Sequence, residues 1–136
     1  MKRYVREIAS NTVRRLLRSN PAATSRVSEV EVASALARLA REGAITATER
    51  ERALETLTAD FDTFWVVELV PDVVNLARVL LGRHSLRAAD AIQLASCLYI
   101  RRDVSDAVPF VVFDDRLVDA ALDENILVIP ASSRKA

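Results

Sequence analysis

Residues 87–101 are the segment that most constrains the fold, because nearly every side chain in it is apolar. Asp90 is the only charged residue between the two arginines that flank the run. A helix built from this run has almost no polar face, so we expect it to be largely buried. An ionised carboxylate away from water is costly unless a cation or a metal compensates it. Asp90 therefore needs a partner.

Length and composition favour one helix-rich domain. The chain has 136 residues, and we predict a single domain over residues 1–130 with a polar tail at 131–136. Two glycines and four prolines favour helices over a turn-rich β architecture. Nineteen basic residues balance nineteen acidic ones, so any nucleic-acid binding must come from a local patch. The single cysteine, Cys97, excludes an internal disulfide and fits the core of a protein in a reducing cytoplasm. No apolar run is long enough to predict a membrane span.

Hydrophobic periodicity predicts helices that alternate with short strands. The first half has predicted helical pieces at 2–9 and 12–19, a strand at 22–25, a helix at 27–41 that stops at Gly43 and a helix that opens with a Thr46–Glu49 capping box. A strand at 65–70, a helix starting at Pro71 and a loop at Gly82 and His84 follow. The last part has the Asp90 helix, capped by Ser85, then a strand at 109–113, a helix through 117–122 and a strand at 126–129. The two helices on either side of Gly43 should form an antiparallel hairpin. Strands separated by helices predict an α/β fold with a parallel sheet, whose carboxyl ends collect the polar groups.

Three acids stand beside apolar segments near the start of a helix or the end of a strand: Glu31, Asp90 and Asp114. Carboxylates that converge without cysteine or histidine specify a hard cation, Mg²⁺ or Mn²⁺, rather than zinc. His84 is the only histidine, so a Ser-His-Asp triad is not easily assembled. We expect His84 to make a hydrogen bond in a loop.

Each acid also has a purely structural alternative. Glu31 could complement the positive N-terminus of its helix. Asp114 or Asp115 could cap the helix that follows them, and for Asp115 capping is the favoured role. For Asp90 the alternative is a buried salt bridge with Arg87 or Arg38.

Three ordered segments together resemble the PIN-domain family. They are Ser-Arg-Val-Ser-Glu-Val-Glu-Val-Ala-Ser-Ala-Leu-Ala-Arg (25–38), His-Ser-Leu-Arg-Ala-Ala-Asp-Ala-Ile-Gln-Leu-Ala (84–95) and Phe-Val-Val-Phe-Asp-Asp-Arg-Leu (110–117). Within the family, the sequence is most similar to VapC-type toxins of bacterial type II toxin–antitoxin pairs. The resemblance implies a three-layer α/β/α fold around a parallel sheet. It also implies an endoribonuclease that uses Mg²⁺ or Mn²⁺ to hydrolyse RNA, is neutralised by a VapB-type antitoxin and forms a homodimer.

Carried over by position, the family's catalytic and metal-binding acids fall on Glu31, Asp90 and Asp114, with Asp115 as a possible accessory. In the implied mechanism these carboxylates hold a cation that activates water and stabilises charge on the phosphate. Arginines near the site would bind the RNA with a salt-sensitive affinity, although the sequence does not say which arginines.

The sequence departs from the family pattern at its beginning. PIN proteins generally open with a central strand that ends in an aspartate, within Leu-Asp-Thr-Ser-Ala-Leu-Val-Lys, whereas this chain starts at Met1 with Lys-Arg-Tyr. We therefore expect that the true start lies upstream. If instead the chain were complete, we would expect weak metal binding, reduced or absent nuclease activity and a destabilised sheet. The alternative function is then a catalytically inactive PIN-like protein that still binds its antitoxin or another partner. A helical DNA-binding regulator fits less well, because we find no helix-turn-helix and the charge is balanced.

Overall fold

A computed structural model describes residues 23–103, 110–111, 115–126 and 128–129. The elements are β1 (Ala23–Ser25), α1 (Val27–Arg41), α2 (Ala47–Thr63), β2 (Trp65–Val67), α3 (Pro71–Arg83), α4 (Ala88–Asp103), β3 (Phe110–Val111), α5 (Asp115–Asp123) and β4 (Val128–Ile129). The predicted helical pieces at 2–9 and 12–19 and the polar tail at 131–136 lie outside the described residues. The chain divides into two compact units with the boundary between Val66 and Val67, and the single-domain prediction stays a prediction.

The helix-rich α/β fold predicted from the sequence is confirmed. In the described part of the chain the strands form two pairs, β1 with β2 and β3 with β4. The second pair is parallel, with Phe110 opposite Val128 and Val111 opposite Ile129. Helix α5 lies between β3 and β4 in the chain, as a parallel connection requires.

In the first unit, local signals set the end of α1 and the start of α2. Gly43 has a φ of 76°, and its N–H and that of Ala44 donate to the carbonyls of Ala40 and Leu39. This is a Schellman motif, in which a residue without Cβ takes the left-handed position at low cost. The predicted stop at Gly43 is therefore confirmed.

The predicted capping box at the start of α2 is also confirmed. The Thr46 hydroxyl accepts from the Glu49 N–H at 3.1 Å, and the Thr46 N–H donates to the Glu49 carboxylate at 3.0 Å. The two helices pack through a small cluster in which Val32, Leu36 and Leu57 are buried. The predicted pairing of these two helices follows from their facing apolar stripes.

Strand β2 is shorter than predicted, because it ends at Val67 rather than Val70. The Val70 N–H donates to the Glu68 carbonyl at 2.9 Å, so these residues turn instead of extending the strand. Pro71 follows as the first residue of α3, and it disfavours helical backbone at the residue before it.

In the second unit, two local predictions around the connection from α3 to α4 are wrong. Gly82 does not mark a loop, because α3 continues through it to Arg83 and closes on a bond from the His84 N–H to the Leu80 carbonyl. Burial of Val73, Ala77 and Leu80 outweighs the weak helix propensity of one glycine. Ser85 does not cap α4, which begins three residues later.

The apolar run is buried as predicted. Helix α4 contributes buried side chains to the larger core, which it forms with α3, α5 and the segment around β4; the α4 members of this core are Ala91, Leu94, Ala95, Cys97 and Ile100. The predicted core position of Cys97 is confirmed. Among the helices in the described ranges, none is both long and apolar enough to cross a membrane.

Helix α5 ends in a second Schellman motif, with Asn125 in place of glycine. Asn125 has a φ of 61°, and its N–H donates to the Leu122 carbonyl, while the Ile126 N–H donates to that of Ala121. Ile126 is buried in the core. The hydrophobic contact after the helix thus helps hold α5 against the core of the second unit.

Candidate functional site

Asp90 lies in the first turn of α4, and its side chain is only 13% exposed. The Arg87 Nε donates to Asp90 Oδ2 at 3.1 Å. The carboxylate is therefore compensated by a cation from the residue just before the helix. Of the two partners considered from the sequence, the structure has Arg87, while Arg38 lies 4.0 Å from Glu42.

Glu31 is the fifth residue of α1 and is half-buried. The acid in the first turn of α1 is Glu29 instead. Because the field of the helix N-terminus falls off within one turn, complementing that terminus is a poor explanation for Glu31. Glu31 belongs to the first compact unit and Asp90 to the second.

The third candidate, Asp114, lies outside the described residues. Asp115 is the first residue of α5. Within the described ranges, no group of three His, Cys, Asp or Glu side chains is close enough to hold a metal ion. The convergence of Glu31, Asp90 and Asp114 stays a prediction.

The donor chemistry nevertheless fits a hard cation. Glu31 and Asp90 both offer carboxylate oxygens, the ligands that Mg²⁺ and Mn²⁺ prefer. At Asp90 the carboxylate is shielded from water on most sides and already attracts a positive charge. Such an environment strengthens the attraction between a carboxylate and a bound cation.

Cys97 is not a candidate ligand or nucleophile. Its thiol is buried among apolar side chains of α4, and this burial raises its pKa to about 11. The reactive form of cysteine is the thiolate, which is scarce at neutral pH when the pKa is that high.

A second polar cluster joins residues far apart in the sequence. His84 Nε2 lies 2.8 Å from Glu124 Oε2, and the Arg83 Nη1 lies 3.2 and 3.3 Å from the two oxygens of the same carboxylate. The hydrogen bond from His84, followed by that from Arg83, holds the pKa of Glu124 below its usual range. The predicted loop hydrogen bond of His84 is confirmed.

The His84–Glu124 cluster fixes the position of the connection that leads into α4. His84 begins the four-residue connection between α3 and α4, and the Leu86 N–H donates to the His84 carbonyl at 3.1 Å. Leu86 packs against the core. With both residues held, helical hydrogen bonding starts only with the bond from Ala91 N–H to the Arg87 carbonyl, which explains why Ser85 is not the cap.

Sequence reasoning missed Glu124 as a partner, and no local signal could have found it. The residue follows a short amphipathic helix and lies 40 positions from His84. A neighbouring contact, from Arg101 Nη1 to the Asn125 carbonyl at 3.1 Å, ties the same turn to the other end of α4.

A shallow depression of about 320 Å³ lies along α3 and is lined by Asp72, Asn75, Leu76, Val79 and Arg102. It contains neither Glu31 nor Asp90. Its mixture of one acid, one amide and one arginine on an open surface does not specify a ligand.

Comparison with known proteins gives two curated relatives from Mycobacterium tuberculosis. They are Ribonuclease VapC45 from strain CDC 1551 / Oshkosh and Ribonuclease VapC49 from strain H37Rv. Each is 35% identical to this chain over 114 residues, which cover 81% of the chain and 74% of the relative. No family model matches the chain.

Proposed function

Since this chain belongs to the VapC family of PIN-domain proteins, we propose that it is an endoribonuclease toxin that hydrolyses RNA with Mg²⁺ or Mn²⁺. The similarity to two proteins named as ribonucleases is the observation that carries this proposal. The structure adds the partly buried carboxylate of Asp90 at the start of α4.

Glu31, Asp90 and Asp114 would hold the cation, with Asp115 as a possible accessory. The bound cation would lower the pKa of water and stabilise negative charge on the phosphate. The protein's own part is to keep carboxylate oxygens in place. The first turn of α4 does this for Asp90, because the helix is anchored by buried Ala91 and Leu94 directly after it.

We also propose that a VapB-type antitoxin neutralises the protein and that the protein forms a homodimer. Both expectations rest on membership of the VapC family. Co-expression with the antitoxin, followed by size-exclusion chromatography with light scattering, measures both the complex and the number of copies in it.

A catalytically inactive, partner-binding protein is the second candidate. The observation that favours it is the Arg87–Asp90 pair, since a carboxylate compensated by arginine does not require a metal. The two candidates differ in whether the chain cleaves RNA, while both predict antitoxin binding.

The test is cleavage of a mixture of labelled structured RNAs by purified protein, with Mn²⁺ and with EDTA. We expect cleavage with Mn²⁺ only, and a loss of roughly 100-fold or more in Asp90→Asn, which removes the charge of a ligand but little volume. Glu29→Gln is the matched control. Glu29 lies in the first turn of α1, as Asp90 does in α4, and it also pairs with an arginine.

Equal activity in Asp90→Asn and wild type would refute the site. An inactive wild-type protein that still binds antitoxin would instead support the second candidate. Cleavage that persists in EDTA would refute the metal dependence.

A further inference from the structure

Arg87 is exposed to solvent and contacts the candidate metal ligand Asp90. Its side chain is 76% exposed, whereas the Asp90 side chain that it contacts is 13% exposed. The Arg87 guanidinium is therefore accessible to solvent, whereas the Asp90 carboxylate that it compensates is mostly shielded from solvent. A divalent ion bound to Asp90 would take over that compensation and repel the guanidinium beside it.

A guanidinium released next to a metal-bound carboxylate is well suited to phosphate. Arginine presents several donors in a planar fork that matches phosphate oxygens, and it stays charged at every physiological pH. RNA supplies such phosphates along its whole backbone.

We propose that Arg87 is the residue that exchanges partners at this site: it pairs with Asp90 in the metal-free protein and binds an RNA phosphate when a divalent cation occupies Asp90. The inference rests on the proposed function and deepens it by naming an arginine that contacts the substrate. Arg87 is a substrate-binding residue in this account and performs no proton transfer.

The surroundings of Arg87 hold its backbone in place for this exchange. The connection from α3 to α4 is anchored at His84 by Glu124 and at Leu86 by the core. The Arg87 carbonyl accepts the first helical hydrogen bond of α4, from the Ala91 N–H. Only the side chain needs to move between the two partners.

Arg26 provides a matched control on the same chain. It also directly precedes a helix and contacts an acid three positions later, Glu29, but 38% of the Glu29 side chain is exposed. An exposed carboxylate is well solvated without its arginine. Arg26→Gln thus removes the same charge from the same local arrangement.

The experiment compares wild type, Arg87→Gln, Arg87→Lys and Arg26→Gln in two binding measurements. Calorimetric titration with Mn²⁺ alone reports the affinity for the cation. Fluorescence anisotropy with a phosphorothioate RNA oligonucleotide and saturating Mn²⁺, over a series of salt concentrations, reports the affinity for phosphate.

Exchange predicts changes of opposite sign in Arg87→Gln. The Mn²⁺ affinity should rise about two- to fivefold, because the competing cation is gone. The RNA affinity should fall about tenfold. The slope of log affinity against log salt concentration should become shallower by about one, as expected for the loss of one phosphate contact. Arg87→Lys should recover part of the RNA affinity, and Arg26→Gln should match wild type in both measurements.

The failures of the inference and of the proposed function are distinguishable. If Asp90→Asn abolishes Mn²⁺ binding but Arg87→Gln leaves the RNA affinity unchanged, the exchange is refuted and the metal site stands. If Asp90→Asn binds Mn²⁺ as well as wild type, the metal site is refuted and the exchange with it. Equal losses of RNA affinity in Arg87→Gln and Arg26→Gln would also refute a specific role for Arg87.

Discussion

The starts of α1 and α4 carry the same local arrangement in different surroundings. In each, an arginine precedes the helix and pairs with an acid in the first turn, Arg26 with Glu29 and Arg87 with Asp90. The acids differ in exposure, at 38% for Glu29 and 13% for Asp90. The spacing of charges along the sequence thus creates the pair, and packing decides how much water it retains.

The residue after each acid shows where the difference comes from. Val30 is 69% exposed, although valine is apolar, whereas Ala91 is fully buried. Helix α4 packs into a core that α3, α5 and β4 share, whereas α1 contributes to a small cluster with α2. The acid on α4 is consequently the one that depends more on a compensating cation.

The largest expected effect comes from removing the packing behind each acid. Leu94→Ala deletes a fully buried side chain from the larger core and should lower the free energy of unfolding towards the upper end of about 2–5 kcal/mol. Leu36→Ala makes the same change in the smaller cluster. That cluster can close more readily around the cavity, so the loss of unfolding free energy should lie towards the lower end of the same range. Urea denaturation followed by circular dichroism measures both. Equal costs would mean that the two cores constrain their helices equally.

Exchanging the residues after the acids tests burial directly. Ala91→Val adds two methyl groups at a fully buried position and should cost about 1–3 kcal/mol of unfolding free energy. Val30→Ala removes the same groups from an exposed position and should change it by less than about 0.5 kcal/mol. A comparable cost for both variants, measured in the same urea titration, would contradict the contrast drawn between the helices.

The anchor at the entry of α4 should contribute a smaller, pH-dependent amount. Glu124→Gln weakens the contacts with His84 and Arg83 and should cost about 1–2 kcal/mol near pH 6. Because folding lowers the pKa of Glu124, its contribution is present above the unfolded value of about 4.3 and is lost as the pH falls through the folded value.

The check is the stability difference between wild type and Glu124→Gln at pH 6, 5, 4 and 3. This stability difference should stay constant between pH 6 and 5 and decrease below about pH 4.3. A difference that grows on acidification would have the wrong sign for this carboxylate.

The smallest effect should come from the arginines themselves. Each of Arg26→Gln and Arg87→Gln should change the free energy of unfolding by less than about 1 kcal/mol, because an exposed guanidinium regains water when its pair is broken. Arg87→Gln should be the more costly of the two, since it leaves the less exposed carboxylate behind. Thermal unfolding without divalent cations measures both, and a larger cost for Arg26→Gln would reverse the expected order.

Local signals predicted much of the fold. Gly43, the Thr46 capping box and Pro71 each act through the backbone of their own turn, so their effects could be read from a few neighbouring residues. The prediction failed at Gly82 and Ser85, where packing and a distant carboxylate override local preference. It also extended β2 by three residues, because β-branched side chains favour strands without showing where a turn begins.

The candidate site divides in the same way. Asp90 stood out because it is the only charge in an apolar run, and Arg87 was within reach of it in sequence. Glu124 could not be identified, since nothing near residue 124 indicates a histidine 40 positions earlier. Whether Glu31 and Asp114 approach Asp90 is likewise a tertiary property that periodicity cannot provide.

The sequence by itself determined the stop of α1 at Gly43, the start of α2 at its capping box and the start of α3 at Pro71, and it put Arg87 within reach of Asp90, because these depend on residues within one turn of each other. Only the tertiary structure decided that the paired acid on α4 is less exposed than the one on α1 and that His84 meets Glu124. Burial depends on elements that are distant in the chain, and the free energy of a carboxylate depends on how much water that burial leaves around it.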